Sequence, residues 1–229
     1  MIETVIFDID GTLVDSVDLH AQSWQAAFER FGKRVALADV RRQIGKGADQ
    51  LMPVFLSPKE LSDFGAELDN YRSQLFKREY LPRVKGFPKV RELFERLRQD
   101  NKRLVLASSA KGDELEAYKR IADIEDLVES ETSSKDAERS KPYPDIFAAA
   151  LGRLGEVAPR TVMVVGDTPY DAEAAQKVNL DTTGLLCGGW SREALRAAGC
   201  VAVYRDPADL LARYKDSPLG PLWLRTSIG

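Results

Sequence analysis

Two aspartates, Asp8 and Asp10, are separated by one residue in the segment VIFDIDGTLVDS near the start of the chain. They follow an apolar run that predicts a buried strand, and alternate residues of a strand point to the same side. Their carboxylates should therefore crowd together, which is unfavourable unless one is protonated or a cation lies between them. The pair predicts a site where a proton or a metal ion compensates close negative charges.

Further polar residues follow later apolar runs of strand type. They are Ser108 and Ser109 after residues 103–107, and Asp167 and Asp171 after residues 161–166; Lys141, in the segment SKPYPDIF before a predicted helix, is the natural positive charge for the same place. Ligands of an open parallel sheet bind outside the carboxyl ends of its strands, so these side chains should meet at one edge. Four carboxylates with one lysine leave a strong negative field there. A hard divalent cation resolves it, and Mg²⁺ is the usual occupant of such a site.

The pattern of the chain indicates which elements position these residues. Apolar runs predict strands at residues 4–9, 103–107, 126–130, 161–166, 182–187 and 200–204. Amphipathic helices lie between most of them. Alternating strands and helices predict an α/β fold with a doubly wound, Rossmann-like parallel sheet.

Residues 16–85 break this alternation. Two amphipathic helical patterns occur there without a convincing strand between them, and Ser57 and Glu60 predict a capping box at the start of the second. The segment has a net charge of +3 and the rest of the chain −6, which favours an anionic ligand, although a solvated helix surface explains such charges equally well. The predicted parts are an all-helical cap domain at 16–85, an α/β core at 1–15 and 86–215, and a C-terminal tail at 216–229.

Composition narrows the classes of partner and location. The chain has 229 residues, 44% of them hydrophobic, and a formal net charge of −3, which gives no general case for nucleic acid or a membrane surface. No apolar run reaches transmembrane length and no signal peptide precedes the first strand, so we expect a cytoplasmic protein. Cys187 and Cys200 form no motif and predict free thiols. A monomer and a small homo-oligomer are both compatible with the apolar tail residues, which could pack on the core or on a partner: Leu219, Leu222, Trp223 and Leu224.

Four short motifs, in order, carry a resemblance to a known superfamily. They are DIDGT at residues 8–12, Ser108 after an apolar strand, Lys141 in KPYPDIF, and GDTPYD at residues 166–171. On these residues the sequence resembles the haloacid dehalogenase superfamily, in its helical-cap branch of phosphoglycolate phosphatases, other small phosphatases and β-phosphoglucomutases. The strands around the motifs extend the likeness over nearly the whole chain.

The resemblance implies a role for each catalytic and phosphate-binding residue. Asp8 would be the nucleophile that forms an aspartyl-phosphate. Asp10 would protonate the leaving oxygen and then activate water. Ser108 would bind the phosphoryl group through its hydroxyl, with Ser109 as the alternative contact. Lys141 would neutralise charge on the phosphoryl group and on Asp8.

The resemblance also implies a magnesium cofactor. Asp8, the backbone carbonyl of Asp10, and Asp167 would hold Mg²⁺, and Asp171 would act on it from further out or through water. Haloacid dehalogenases lack the second aspartate of the first motif, so Asp10 argues against dehalogenation. The predicted function is Mg²⁺-dependent hydrolysis of a small phosphorylated metabolite.

Three cap residues are candidate substrate contacts. His20 lies on the apolar stripe of the first cap helix, where a structural histidine and a site contact near Asp10 are about equally compatible with the pattern. In the segment IGKGADQLM, Asp49 stands where the resemblance to β-phosphoglucomutases implies an arginine for a second phosphate. Asp49 would repel that phosphate, although Lys46 could partly replace the arginine. A sugar phosphomutase is the alternative enzyme, and a phospho-accepting or binding module without turnover is the alternative of another class.

Overall fold

The computed structural model describes residues 1–110 and 112–223 of the protein. Its strands are β1 (Thr4–Phe7), β2 (Val14–Asp15), β3 (Lys85–Gly86), β4 (Arg103–Ala107), β5 (Ser130–Thr132), β6 (Val162–Gly166), β7 (Asp181–Leu185) and β8 (Cys200–Tyr204). Six of them form a parallel sheet in the order β5-β4-β1-β6-β7-β8. The order reverses at β1, which opens a crevice at the carboxyl end of that strand. The predicted α/β sheet is confirmed.

The predicted cap, residues 16–85, is mainly helical and lies between β2 and β3. Its helices are α1 (Val17–Arg30), α2 (Leu37–Arg41), α3 (Ala48–Leu51), α4 (Pro58–Glu60) and α5 (Ala66–Leu75), with π-helical turns at Leu61–Gly65 and Phe76–Tyr80 and 3₁₀ turns at Met52–Val54 and Leu81–Arg83. Ser57 and Glu60 form the predicted capping box. The helices enclose an apolar cluster of their own, which includes Trp24 and Phe28.

Two short strands join the cap to the core. Val14 of β2 pairs with Gly86 of β3, and Asp15 pairs with Lys85, in an antiparallel ribbon. The chain therefore enters and leaves the cap at neighbouring points.

Core helices cover both faces of the parallel sheet. They are α6 (Val90–Gln99), α7 (Gly112–Ala122), α8 (Asp145–Leu154), α9 (Pro169–Gln176), α10 (Arg192–Ala197) and α11 (Pro207–Ala212), with 3₁₀ turns at Ser134–Asp136, Pro159–Thr161, Leu186–Gly188 and Tyr214–Asp216. Side chains of β1 alternate between two apolar layers: Val5 and Phe7 pack in the layer of α6, and Ile6 in the layer of α8. All three are fully buried, as a central parallel strand requires.

One predicted strand is wrong. Residues 126–130 form mainly a turn, and the edge strand is Ser130–Thr132. Leu127 and Val128 pack against the main apolar cluster from this turn. Their apolar character therefore reflects packing against the core rather than pairing in the sheet.

The tail residues that the structure describes fold back on the core. Leu219 is fully buried, and Trp223 packs against the main apolar cluster. Leu222 is 62% exposed, and Leu224 lies outside the described residues. Both cysteines are free, as predicted. Among the described residues, no helix combines the length and apolar character needed to cross a membrane.

Candidate active site

The loop after β1 carries Asp8 and turns sharply at Gly11. The backbone N–H groups of Thr12 and Leu13 both donate to the carbonyl of Ile9, at 3.1 and 2.8 Å. Gly11 has a φ of 80°, in the left-handed region that favours glycine. The turn brings the Thr12 hydroxyl back to Asp8, where it lies 3.2 Å from Oδ2. The DIDGT motif thus supplies both the carboxylate and a group that orients it.

Three carboxylates converge at the carboxyl edge of the sheet. One oxygen of each of Asp8, Asp167 and Asp171 lies within 4.8 Å of the others, and all three residues are buried. The Lys141 ammonium donates to Asp8 Oδ1 and pairs with Asp171 Oδ1 at 2.7 Å. Thr12 Oγ1 also lies 2.9 Å from Asp167 Oδ1. Charged residues that were expected to meet from separate strand ends are therefore close together.

Burial makes Asp8 and Asp167 resist ionisation. It raises the pKa of Asp8 to about 7, because the loss of hydration outweighs the attraction of Lys141, and the Asp171 charge adds to the rise. Burial and the charges of Asp8 and Asp171 also raise the pKa of Asp167 well above its ordinary value. Carboxylates that ionise with difficulty on their own are stabilised by a bound cation.

The donor set fits a hard divalent cation. Asp167 Oδ2 is buried and has no hydrogen-bond partner among the residues that the structure describes. Two glycines surround it: a Cβ at Gly188 would lie 1.6 Å from this oxygen, and one at Gly11 would lie 2.4 Å away. The oxygen therefore sits in a cradle that side chains would fill. Carboxylate oxygens are the ligands that Mg²⁺ prefers.

Asp10 lies beside the predicted cap residue His20. Its Oδ1 accepts a hydrogen bond from the Ser16 hydroxyl and lies 3.0 Å from His20 Nε2. Burial alone would raise the pKa of Asp10, but the His20 charge and the hydrogen bonds from His20 and Ser16 outweigh burial and lower it. His20 also stacks on Phe76, with ring centroids 3.9 Å apart. His20 therefore makes both contacts that the pattern allowed, a packing contact with Phe76 and a polar contact with Asp10.

Two residues of α7 that the sequence did not single out complete this contact. Tyr118 Oη lies 2.9 Å from His20 Nε2 and donates to Glu114 Oε1 at 3.0 Å. Both α7 residues are buried. The sequence contained a signal for this pair: Glu114 and Tyr118 are four residues apart and lie on one face of a helix. A buried carboxylate requires a hydrogen-bond partner, which Tyr118 supplies.

The two candidate phosphate-binding serines differ in position. Ser108 is 1% exposed, and its Oγ accepts the backbone N–H of Ala110 at 3.0 Å. This contact joins two residues of the segment that follows β4. Ser109 borders the cavity between core and cap. The choice between them as the phosphate contact stays a prediction.

Asp171 has two structural tasks. Its Oδ2 accepts the backbone N–H and the hydroxyl of Thr168, at 3.0 and 2.7 Å, which caps the start of α9. Its Oδ1 faces the Lys141 ammonium. Asp171, in the first turn of α9, thus also holds Lys141 close to Asp8.

A cavity of about 300 Å³ lies between the core and the cap. Residues of both parts line it, among them Asp8, Asp10 and Ser109 from the core and His20, Trp24, Lys46, Asp49 and Arg72 from the cap. Lys46 Nζ donates to Gln43 Oε1 at 2.7 Å and lies 4.6 Å from the centre of the Tyr170 ring. The predicted cap residues therefore border the same space as Asp8.

Asp49 is bonded to the core. It accepts the backbone N–H of Ser140, the residue before Lys141, and its neighbour Gly47 donates to Ser140 Oγ at 2.8 Å. Burial would raise the pKa of Asp49, but hydrogen bonds from Ser140 and Gln50 outweigh it and lower the pKa. Repulsion of a second phosphate by Asp49 stays a prediction.

The comparison with known families decides the identity of this fold and site. Residues 5–185 match the model of the family described as haloacid dehalogenase-like hydrolase. The chain belongs to the haloacid dehalogenase-like hydrolase family. The predicted superfamily is thereby confirmed.

Individual members of the family resemble the chain over most of its length. A phosphorylated carbohydrates phosphatase from Thermotoga maritima is 29% identical over 93% of this chain and 99% of its own. A phosphoglycolate phosphatase from Aliivibrio fischeri is 29% identical over 82% of this chain and 85% of its own. The predicted enzyme class, a phosphatase of this family, agrees with these relatives.

Solved structures share the whole architecture. A hydrolase from Pseudomonas syringae superposes with a TM-score of 0.83 and 27% identity, over 93% of this chain and 98% of its own. A Bacteroides vulgatus protein whose name suggests a β-phosphoglucomutase gives a TM-score of 0.82 at 17% identity, over 93% of this chain and 88% of its own. The second likeness concerns the fold alone.

Proposed function

We propose that this family member is a Mg²⁺-dependent phosphatase that hydrolyses a small phosphorylated metabolite through an aspartyl-phosphate. The observation that carries the proposal is the contact between Asp8 and Lys141, beside Asp167 and Asp171, at a cavity enclosed by the cap. A phosphate ester brings negative charge that a lysine and a divalent cation can offset. Phosphoryl transfer depends mainly on such positioning and electrostatic stabilisation.

Asp8 would attack the phosphorus atom. Lys141 holds its Oδ1 and Thr12 contacts its Oδ2, so the carboxylate is oriented before a substrate arrives. The bond between Asp8 and phosphorus forms as the ester oxygen leaves. Water then hydrolyses the aspartyl-phosphate, which releases inorganic phosphate and restores the carboxylate.

Asp10 would move the proton, with Ser16 and His20 fixing its orientation. Its lowered pKa keeps it ionised in the free protein. A phosphate ester is an anion, and a like charge nearby raises the pKa of a carboxyl. Asp10 would therefore gain a proton in the complex and give it to the leaving oxygen. The ionised form then takes a proton from the attacking water.

Asp8, Asp167 and the backbone carbonyl of Asp10 would hold Mg²⁺, with Asp171 further out. When bound, the ion offsets the negative charge of the phosphoryl oxygens and of the aspartates. The cradle of Gly11 and Gly188 leaves Asp167 Oδ2 open to it.

The cap would exclude water and select the substrate. A cavity of about 300 Å³ suits a small metabolite rather than a polymer. The names of the relatives make phosphorylated sugars and phosphoglycolate the first candidates. A cytoplasmic location and a monomeric or small homo-oligomeric state belong to the same proposal.

The test is phosphate release from p-nitrophenyl phosphate, phosphorylated sugars and 2-phosphoglycolate, with and without Mg²⁺. Asp8→Asn should abolish turnover, whereas Asp39→Asn, an exposed residue of α2, is the matched control. Continuous release that EDTA stops supports the proposal. A single stoichiometric burst would favour the binding module, and conversion of glucose 1-phosphate to glucose 6-phosphate would favour the mutase.

A further inference from the structure

We infer that Arg72 of the cap selects substrates that carry an anionic group at the end remote from the transferred phosphoryl group. The inference rests on the proposed function and narrows its substrate class to phosphate monoesters with a carboxylate or second phosphate at that end. Arg72 lies on α5, and its side chain borders the same cavity as Asp8.

An aromatic ring, rather than an acid, holds Arg72 in place. Its guanidinium carbon lies 4.6 Å from the centre of the Trp24 ring, a cation–π contact. Asp69, one turn earlier on α5, lies 3.9 Å from Arg72 Nη2, which is beyond hydrogen-bond distance. The Arg72 side chain is only 14% exposed. Its charge is therefore largely buried and only loosely paired.

One donor group of Arg72 has no acceptor among the residues that the structure describes. Within residues 1–110 and 112–223, its buried Nε has no hydrogen-bond partner. More exposed arginines are paired: Arg91, 32% exposed, makes two bonds of 2.9 Å to Asp126, and Arg103, 37% exposed, makes bonds of 2.9 and 2.7 Å to Glu129. An unpaired buried donor is unfavourable and requires an explanation. A ligand that supplies the acceptor provides one.

The chemistry of the cavity wall indicates the kind of ligand. A guanidinium group recognises carboxylates and phosphates through pairs of hydrogen bonds. Trp24 offers an apolar surface beside it, and Lys46 adds positive charge to the same cavity. Acidic residues line the cavity as well, namely Asp49, Asp69, Glu114 and Glu138, so an anionic group gains only where it lies beside the guanidinium itself. These features fit a short substrate with phosphate at one end and an anion at the other.

The experiment compares binding of matched ligands by isothermal titration calorimetry, in the Mg²⁺-loaded Asp8→Asn protein, which should bind without turnover. The carboxylate arm pairs 2-phosphoglycolate with 2-hydroxyethyl phosphate. The phosphate arm pairs glucose 1,6-bisphosphate with glucose 6-phosphate. For each pair, the affinity for the ligand with the anionic end is divided by the affinity for the ligand with the neutral end. This ratio is measured in the Asp8→Asn protein with Arg72 and in the same protein with Arg72→Gln.

Arg72→Gln should reduce the anionic preference about 10- to 100-fold in one of the two arms, which identifies the anion. Arg72→Lys should keep part of the anionic preference that Arg72→Gln loses, because lysine supplies the positive charge but not the paired donors of a guanidinium group. The matched control is Arg78→Gln, at a residue whose side chain is 65% exposed and pairs with Glu79, and it should change neither ratio.

A purely structural role for Arg72 predicts a different result. Both ligands of each pair would then weaken alike, or the melting temperature would fall with the ratios unchanged, and either outcome overturns the inference. Equal binding of anionic and neutral ligands to the protein with Arg72 would overturn it as well. If the ratios change as expected but Asp8-containing protein hydrolyses no ester, the proposed phosphatase function fails and the role of Arg72 in binding stands.

Discussion

Asp49 of the cap accepts a hydrogen bond from the backbone N–H of Ser140 in the core, at 3.0 Å. The side chain of the same serine accepts the backbone N–H of Gly47. Ser140 directly precedes Lys141, which donates to the Asp8 carboxylate. The cap is thus hydrogen-bonded to the loop that carries Lys141. Separating the cap from this loop would break these bonds, so closure of the cavity and the placement of Lys141 are linked.

Gly47→Ala should impair closure of the cap. A Cβ at this position would lie 2.7 Å from the Cβ of Ser140, so the two loops would have to separate. A misplacement of about 1 Å can reduce a rate by roughly 100-fold. We therefore expect kcat/KM for the best metabolite to fall by about 10- to 100-fold. Steady-state kinetics checks it. Gly152→Ala is the control, because a Cβ there meets nothing within 4 Å; equal effects of both changes would contradict the prediction.

Asp49→Asn and Asp49→Ala should separate two roles of this side chain. An asparagine oxygen still accepts the Ser140 N–H, whereas alanine cannot. If the bond to Ser140 matters most, Asp49→Ala should lower kcat/KM by roughly 5- to 10-fold, as expected for loss of one hydrogen bond, and Asp49→Asn should change it little. If repulsion matters most, both variants should bind glucose 1,6-bisphosphate more tightly than the unmodified protein. Affinity and kinetics measured on both variants distinguish the two results.

Asp8→Asn and Asp10→Asn should respond differently to the leaving group. An amide at residue 8 cannot form the aspartyl-phosphate, so turnover should fall to background for every ester. Asp10→Asn should lose roughly 100- to 10,000-fold for sugar phosphates, which need a proton on the leaving oxygen, and less for p-nitrophenyl phosphate. Rapid-quench measurement of the phosphorylated enzyme checks the division of roles. An identical response of both variants to leaving-group quality would contradict it.

Magnesium should stabilise the protein more at high pH than at low pH. Asp8 and Asp167 have ordinary pKa values of 3.8, which burial raises in the folded state, to about 7 for Asp8. Their contribution to stability is therefore present at low pH and is lost as the pH rises from the ordinary value through about 7. A cation that binds the ionised forms reverses this loss.

The measurement is the melting temperature with and without Mg²⁺ at about pH 5.5 and about pH 8, values on either side of the Asp8 pKa. At 100 times its Kd the ion should add about 2.7 kcal/mol, or roughly 5–10 °C for a domain of this size. Asp167→Asn should raise the metal-free melting temperature and remove most of the increment. An increment independent of pH would count against a metal site on these carboxylates.

The sequence predicted the parts of the site that follow from local pattern. Asp8 and Asp167 end apolar strands, and parallel strands bring their carboxyl ends to one edge, so their proximity needed no knowledge of side-chain packing. The relation of Lys141 to Asp8 followed from motif resemblance. The strand predicted at residues 126–130 was wrong because apolar residues that pack against the core from a turn have the same pattern as a short strand.

Contacts between the cap and the core could not be derived in the same way. Ser140 meets Asp49 only because the cap docks on that loop, and no periodicity encodes the docking. Arg72 resembles any charged helical residue until its position over Trp24 and its incomplete pairing are known. These residues depend on tertiary packing of segments far apart in the chain.

The antiparallel ribbon of β2 and β3 holds the two ends of the cap next to each other. The segment between these paired ends is therefore comparable to a long loop that connects the two strands of a hairpin. The entropy of closing a loop grows only with the logarithm of its length, about 0.6 kcal/mol for each doubling. Insertions, shortenings or whole replacements between Asp15 and Lys85 therefore cost the sheet little. Over evolution such a chain can exchange the segment that borders the cavity while the strand before Asp8 keeps its place in the sheet.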